Sequence, residues 1–340
     1  MTKKIIKFSV IAIYALMVVS YVFFADKALN IRLSSTIFFA HFYAFPVLFG
    51  AAIALLAALA MIIGIGRKRT TYFIEYTFVF PLMVLALSML LVFGSADVKR
   101  IAETDDNSAS VKIVELNAQN TLDGDAVAKI FKDFDADIAV FPEFGGYVKG
   151  DKPEHRLIDL MEREGISGQH YDFYSSAETE GNIAPVTIVV KKAFNAYKQQ
   201  ENKPMTRFGT VYLSSNHANT PDIVGLHTAP PLPGLMETWR HDLDLIGKAI
   251  IPENGDAVIL GDFNATTRHG ALNLIATHED VLDYLPRFHR GTWGLFLPEF
   301  ARSGIDHMYI PKGQYAVKRI DLFRFNGPDH MGVFVELSAK

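Results

Sequence analysis

Val258-Ile259-Leu260-Gly261-Asp262-Phe263-Asn264 is an aliphatic run that ends in a glycine and then sets an acid and an amide two residues apart. A short apolar run bounded by glycines reads as a buried strand. Gly261 lets the backbone turn tightly at the strand's end. Asp262 and Asn264 then emerge together, at the edge where open α/β sheets keep their chemistry. Taken alone, the same residues also fit an Asx turn closing a core strand.

The context repeats along the chain. Strands read at 111–116, 137–141, 187–190, 223–226, 257–260, 307–310 and 333–337, with helical spacing at 126–134 and 235–250. Polar residues stand at the strand ends: Asn117, Glu143, His227, Asp262, Asn264, Asp306, Asp329 and His330. Any one of them has an ordinary explanation as a turn residue, a helix cap or a satisfied core histidine. Their recurrence at one kind of place argues for a site. The chain has no cysteine, which excludes disulfides and thiolate metal sites. Carboxylates without thiols point to a hard cation, Mg²⁺ or Mn²⁺, rather than structural zinc. The two histidines supply acid/base capacity near neutral pH.

At 340 residues the chain exceeds one average domain. Residues 1–96 hold three apolar runs, 5–24, 35–66 and 71–96. Each is long enough to cross a hydrocarbon core of ~30 Å as a helix. A small-residue cleavage pattern is missing around Phe24-Ala25-Asp26, so the first run reads as a retained anchor rather than a signal peptide. Lys3, Lys4 and Lys7 lie at the start, and Arg67, Lys68 and Arg69 fill the loop between the second and third runs. The positive-inside rule then places the N-terminus in the cytoplasm and everything after Ala96 outside it. The expected location is the cell (inner) membrane, as a multi-pass protein. His41, Tyr43, Tyr72 and Tyr76 sit near run ends, as residues of interfacial belts do. Residues 97–110 are polar and read as a tether, and 111–340 as one domain.

Charge limits the partners. Of 33 basic and 37 acidic residues, 1–96 hold eight and two, so the rest of the chain carries 25 against 35. A domain that grips long nucleic acid usually shows a basic footprint, and this one does not on average.

The order Asn117, Pro142-Glu143, Leu226-His227-Thr228, Gly261-Asp262-Phe263-Asn264, Ile305-Asp306-His307 and Asp329-His330 resembles the endonuclease/exonuclease/phosphatase superfamily. The resemblance covers about residues 111–340. It implies a deoxyribonuclease I-like fold, a four-layer α/β sandwich, here preceded by a three-helix transmembrane anchor. That anchor resembles the membrane-bound bacterial branch of YafD-like and VanJ-like proteins. By resemblance, Glu143 would hold the divalent metal with Asn117 beside it and Asp329 as a further metal-side acid. Asp262 would orient the water or protonate the leaving oxygen. Asn264 and His227 would donate to phosphoryl oxygens, and His330 would serve as general base or transition-state stabiliser, oriented by Asp306. This chain departs from the family in three places: Pro328 stands before the last Asp-His, Gln119 where many nucleases carry an acid, and Pro142 before the metal glutamate.

Outside the motifs, Arg240 at the start of a helix either contacts a substrate phosphate or is simply solvated or salt-bridged. Trp239 and Trp293 either pack or stack on substrate. The expected activity is a membrane-anchored, metal-dependent phosphoesterase acting on a phosphate ester or a lipid-linked (pyro)phosphate. The alternatives are an extracytoplasmic nuclease acting on DNA or RNA, and a non-catalytic membrane module that keeps the fold.

Overall fold

The computed structural model describes residues 28–52, 55, 98–102, 110–177, 183–194, 196–217 and 220–340. Their strands, in chain order, are β1 (Ser110–Glu115), β2 (Ile138–Phe141), β3 (Tyr171–Ser175), β4 (Thr187–Lys191), β5 (Tyr197–Gln200), β6 (Thr210–Ser215), β7 (Asp222–His227), β8 (Ala257–Asp262), β9 (His278–Asp280), β10 (Asp306–Pro311), β11 (Tyr315–Phe323) and β12 (Gly332–Ala339). They form two mixed six-stranded sheets, ordered β11-β12-β1-β2-β4-β3 and β5-β6-β7-β8-β10-β9.

Alternation along the strands builds the layers. Ile113, Val140, Ile188, Val258, Leu260, Met308 and Val335 point between the sheets and form the central core. Their neighbours Val114, Ala139, Phe141, Val189 and Phe334 point the other way, onto Val127, Ile130, Leu157 and Met161 of the helical segments at 124–133 and Pro153–Arg163. On the second sheet Val224, Leu226, Ile259 and Tyr309 pack on Trp239, Leu243, Ile246 and Ile250 of the segment at 236–250. The layers therefore run helix, sheet, sheet, helix, as expected. Both expected helices change pitch: the last turns, Lys129–Asp133 and Ile246–Ile250, are π-helical.

Gly261 does not turn the chain. It lies inside β8, beside β7, with φ +144°. A Cβ there would lie 1.9 Å from the carbonyl oxygen of Leu226. The glycine is needed for close approach of two backbones.

The N-terminal part differs from a continuous span over 35–66. Ile37–Ala44 is a separate short helix. Phe45 leaves helical geometry (φ −127°, ψ 54°), as expected of a residue before proline, and helix resumes from 46 to 52. Among the described residues no helix is long and apolar enough to cross a membrane. The runs 5–24 and 71–96, and the stretch 56–66, lie outside the described residues.

The short helix is docked on the second sheet's helical layer. Ala40 belongs to that layer's core. Gly270 N donates to Ser34 Oγ at 3.0 Å. His269 Nδ1 accepts from Thr266 N at 2.7 Å, so its Nε2 carries the proton and donates to the Ala40 carbonyl at 2.9 Å. Burial lowers the His269 pKa to about 4, which keeps that ring neutral. Tyr43 is buried with its ring 6.1 Å from His269 rather than sitting in an interfacial belt. His41 bonds the Ile37 carbonyl of its own helix at 2.7 Å. Part of the expected tether is docked as well. Lys99 N donates to the Asp283 carbonyl and Ala102 N to that of Val317.

Gly261→Ala should destabilise the domain by on the order of 3 kcal/mol, because neither strand can retreat without breaking the register. Urea unfolding of the purified protein measures this, and Gly255→Ala, where an added Cβ meets nothing within 4 Å, is the matched control.

Candidate active site

Strand register brings the polar residues together. β7 and β8 are parallel with His227 opposite Asp262, and β8 and β10 antiparallel with Asp262 opposite Asp306. Three adjacent strand ends therefore present an imidazole and two carboxylates side by side. The other sheet supplies the facing half. Asn117 follows β1, Glu143 follows β2 and His330 precedes β12, with β1 between its two neighbours.

The hydrogen bonds are dense. Asn117 Nδ2 donates to Glu143 Oε1 at 3.1 Å and to Asp262 Oδ2 at 2.9 Å, crossing from one sheet to the other. Asp262 Oδ1 accepts the Asn264 amide N–H at 2.7 Å, an Asx turn that aims the Asn264 side chain. Asn264 Nδ2 then reaches the Thr228 carbonyl at 3.0 Å and lies 3.4 Å from His227 Nε2. His330 Nδ1 is 2.9 Å from each oxygen of Asp306. At Asp262-Phe263-Asn264 an Asx turn therefore closes the core strand and brings the Asn264 side chain into the polar cluster.

Backbone strain gathers here. Gln119, Asn120, Glu143 and Asn264 all have φ between 43° and 56°. Such conformations cost about 1–3 kcal/mol each and persist where surrounding contacts enforce them. Asn120 is held by Arg156, which bonds both its side-chain and its backbone oxygen, and Asn120 Oδ1 accepts Gly145 N at 3.2 Å.

Burial and neighbouring charge set the protonation states. Burial pushes Asp262 up to about 7, with the Asp306 charge adding, against His330 and the donors Asn264 and Asn117. Burial opposes the charged form of His330, but the Asp306 charge and hydrogen bond, with Asp262 and Asp329, outweigh it and push its pKa up to about 10. Burial and the His330 charge bring His227 down to about 3. The site thus holds one imidazolium, one neutral imidazole and one carboxyl that titrates near neutrality. Glu115 lies beneath them, fully buried, with neither oxygen hydrogen-bonded. Desolvation, then the charges of Asp306 and Asp262, raise its pKa well above the usual carboxylate range.

The donor set suits a hard divalent cation. Glu143, His227 and Asp262 each offer one ligand atom within 4.8 Å of the others, as do Asp262, Asp306 and His330. The second group is wholly buried and two of its members bond each other, whereas the first opens through Glu143, whose side chain is 25% exposed. Carboxylates that keep waters and substrate oxygens as further ligands are the usual magnesium arrangement. Asn117 stands beside this group as a donor; its own oxygen accepts Gln119 N at 3.1 Å. Asp329 lies at the rim, its side chain 51% exposed, with Oδ1 3.5 Å from His330 Nε2. Arg240 is not with these residues. It is exposed, and its guanidinium reaches the Ser35 carbonyl at 3.4 Å.

Several groups support the site, of which Thr292 and Phe208 carried no sequence signal. Thr292 Oγ1 accepts Asp306 N at 3.1 Å. Trp293 pairs with His330 through an isolated backbone bridge, and its indole donates to Asp329 Oδ2 at 3.2 Å. Trp239 is buried and donates to the Asn264 carbonyl at 3.1 Å. The Phe208 ring lies 5.0 Å from His227. Gln119, in the place of an acid, accepts Asp329 N at 2.8 Å and ties the two halves of the rim.

Residues 114–332 match the model of the endonuclease/exonuclease/phosphatase family. Comparison with curated proteins gave no match. Among solved structures the chain is similar to an endonuclease/exonuclease/phosphatase from Beutenbergia cavernae DSM 12333, at 14% identity and a TM-score of 0.50 over 68% of this chain and 72% of that one. It is also similar to the endonuclease domain of the telomere-specific retrotransposon TRAS1, at 15% identity and 0.47 over 68% and 99%. A third is the inositol polyphosphate 5-phosphatase domain of SPSynaptojanin, at 13% identity and 0.46 over 68% and 85%.

His330→Ala should lower turnover by ~10²–10⁴, and Asp306→Asn by less. Asp306→Asn also removes the charge that raises the His330 pKa, so the alkaline limb of the pH–rate profile should move to lower pH. Steady-state rates from pH 6 to 10 with a soluble phosphate ester test both.

Glu115 binds its proton more tightly folded than unfolded, so its contribution to stability is full below its unfolded value and fades as pH rises. The stability of wild type relative to Glu115→Gln should therefore fall as pH climbs above 4.5, the ordinary glutamate value. Parallel urea titrations at pH 4.5 and 8 check the sign.

Proposed function

This chain belongs to the endonuclease/exonuclease/phosphatase family, and we propose that it is a membrane-anchored phosphoesterase that cleaves a phosphate ester or a lipid-linked (pyro)phosphate outside the cytoplasm. Members of that family hydrolyse phosphate esters, and this chain is a phosphoric ester hydrolase of the metal-dependent kind.

The observation that carries the membrane reading is the docking of residues 31–49 on the catalytic domain. Two segments in contact lie on the same side of a membrane. Between residue 45 and residue 98 the sequence holds two long apolar stretches, 46–66 and 71–96, separated by Arg67-Lys68-Arg69. Two crossings return the chain to the side it left. Together with the run at 5–24 this supports three spans, an N-terminus in the cytoplasm and a catalytic domain outside it. The same contact bears on substrate. The Phe45 ring lies 5.9 Å from that of Trp293, and Trp293 holds Asp329 beside His330. The catalytic rim thus abuts the point where the chain turns toward the apolar run, which favours a substrate presented at a lipid surface. The acidic balance of residues 97–340 favours it over a long polyanion.

The residues divide the work. Glu143 and Asp262 would hold Mg²⁺ or Mn²⁺, which neutralises charge on the phosphoryl oxygens when bound. His330, charged and held by Asp306, donates from Nε2 to a phosphoryl oxygen as negative charge grows there. Asn264 Nδ2 donates to a second oxygen, while Asn117 keeps Glu143 and Asp262 in place. His227 stays neutral, with its Nε2 3.5 Å from Asp262 Oδ2. With the cation bound, Asp262 would be held as a carboxylate and would orient the attacking water. All of these groups are fixed before substrate arrives, which is how preorganised polar sites lower barriers.

The full chain in neutral detergent should hydrolyse a lipid-linked phosphate with Mg²⁺, lose activity with chelator, and prefer the lipid to plasmid DNA at physiological salt. Efficient DNA nicking with no turnover of any lipid phosphate would replace this reading with a nuclease. Glu143→Gln should abolish metal-dependent turnover while the circular dichroism spectrum persists; survival of activity would remove the metal role. For topology, single cysteines at Phe38 and Val148 should react with an impermeant maleimide added outside intact cells, and one at Lys68 should not. Labelling of Lys68→Cys instead would reverse the orientation.

A further inference from the structure

A second pocket lies behind the catalytic strand ends. On β10, Asp306 faces His330 in the active site, while the next residue, His307, points to the opposite side of the sheet, as neighbours on a strand do. There it borders a cavity of about 140 Å³ between residues 43–47 and the loops around 266–268 and 287–304. That is well above the ~10–15 Å³ a single water requires.

The lining has an unusual charge for this acidic domain. Arg268, Arg287, Arg290 and Arg302 converge on it, against two carboxylates, Asp280 and Asp283. Both carboxylates are engaged. Asp280 binds His307 Nδ1 at 2.6 Å and the Leu282 amide at 3.1 Å. Asp283 binds Arg290 at 2.7 Å and Lys99 at 3.4 Å. Arg302 is half-buried and uses only its Nε, which donates to the Leu297 carbonyl at 3.2 Å; its two terminal nitrogens make no hydrogen bond among the described residues. Gly291 is packed so closely that a Cβ there would lie 2.3 Å from Arg302 Cβ, so the glycine makes room for this arginine.

The remaining wall is apolar and comes from the N-terminal segment. Phe45 and Val47 line the cavity, and Pro46 restarts the helix that leads into the apolar stretch 46–66. Phe300 lines it as well and is 53% exposed, and Phe296 on the same loop is 81% exposed. A cluster of guanidinium forks with an apolar rim, placed where a chain enters a bilayer, matches one chemistry: a phosphate group joined to hydrocarbon.

We propose that this cavity binds the headgroup phosphate of an anionic phospholipid, at a site separate from the catalytic centre, and so seats the domain on the membrane. The assignment rests on the membrane-anchored reading above. Arg302, whose terminal nitrogens are unengaged among the described residues, grips two phosphate oxygens with its planar fork, and Arg287 and Arg268 add positive charge beside it. The acyl chains leave past Phe45 and Phe300 beside the outgoing helix. Occupancy ties residues 43–47 to the 287–304 loops, and with them Trp293 and the rim of the active site.

The test uses the full chain in neutral detergent, with thermal unfolding as the readout, since a ligand that binds only the folded state raises the midpoint. Dioctanoyl phosphatidylglycerol should raise the midpoint by several degrees, and dioctanoyl phosphatidylcholine should not. Arg287→Gln with Arg302→Gln should remove that rise while turnover of a soluble ester stays within twofold of wild type. Arg302→Lys should keep part of it. If the double variant does not fold, Arg268→Gln alone should show a reduced rise. Equal shifts with both lipids, or a full shift in the variants, overturns the proposal. Inorganic phosphate that reproduces the variant-sensitive shift at equal concentration assigns the site to a free oxyanion and overturns the lipid. A wild-type chain that turns over no ester overturns the phosphoesterase reading instead, whatever the lipid result.

Discussion

Glu115, Asp262 and Asp306 bury three carboxyl groups within mutual electrostatic reach, at strand ends of two facing sheets. Like charges taken out of water so close together cannot all ionise. The arrangement around them follows from that constraint. His330 brings a cation between Asp306 and Asp262, Asn117 and Asn264 direct amide donors at Asp262, and Thr292 accepts the Asp306 backbone amide. Glu115 receives no such help, and burial with the charges of Asp306 and Asp262 raises its pKa well above the usual carboxylate range. A site under this tension is primed to bind a divalent cation, which relieves the repulsion that the fold created.

Much of this was legible in the sequence because the signals are local. Apolar runs marked β1, β2, β4, β7, β8, β10 and β12, and all of these but β4 carry at one end a polar residue of the candidate site. The strands that escaped notice, β3, β5, β6, β9 and β11, lie at or near sheet edges and mix polar with apolar residues, as in Tyr197–Gln200 and His278–Asp280. Edge strands need only one apolar face, so their pattern is weak. Gly261 reads as a turn in the sequence because a sequence does not reveal which backbone will pass within contact distance. The 35–66 run misled for a related reason. Its composition suits a bilayer, but Ala40, Phe42 and Tyr43 are buried against protein, and hydrophobicity alone does not distinguish the two environments. Pro46 was the one local sign of the break. Arg240 looked like a substrate contact from its neighbours in sequence, while its neighbours in space belong to a segment some two hundred residues away.

The docked segment also changes what counts as the catalytic domain. The family match begins at residue 114, but the helical layer over the second sheet takes Ala40 into its core, and the active-site rim leans on Phe45 through Trp293. The functional unit is discontinuous: a globular region from about residue 98 onward, completed by a short piece that precedes it by two long apolar stretches.

That discontinuity has a consequence for how the molecule is made. Ser34 and Gly270 are 236 positions apart, and Ala40 and His269 are 229 apart. Contacts at such separation form late, after the loop between them has closed. In synthesis, residues 28–49 leave the ribosome long before the turn at 266–270 that receives them, and wait while the sheets are built. Until that meeting the outer helical layer has a gap, and a chain whose segment is kept from the turn never fills it. Its gap leaves apolar surface of the kind that chaperones and proteases recognise. The same contact that shapes the rim of the active site therefore acts as a folding checkpoint: a chain that fails to make it keeps that apolar surface exposed.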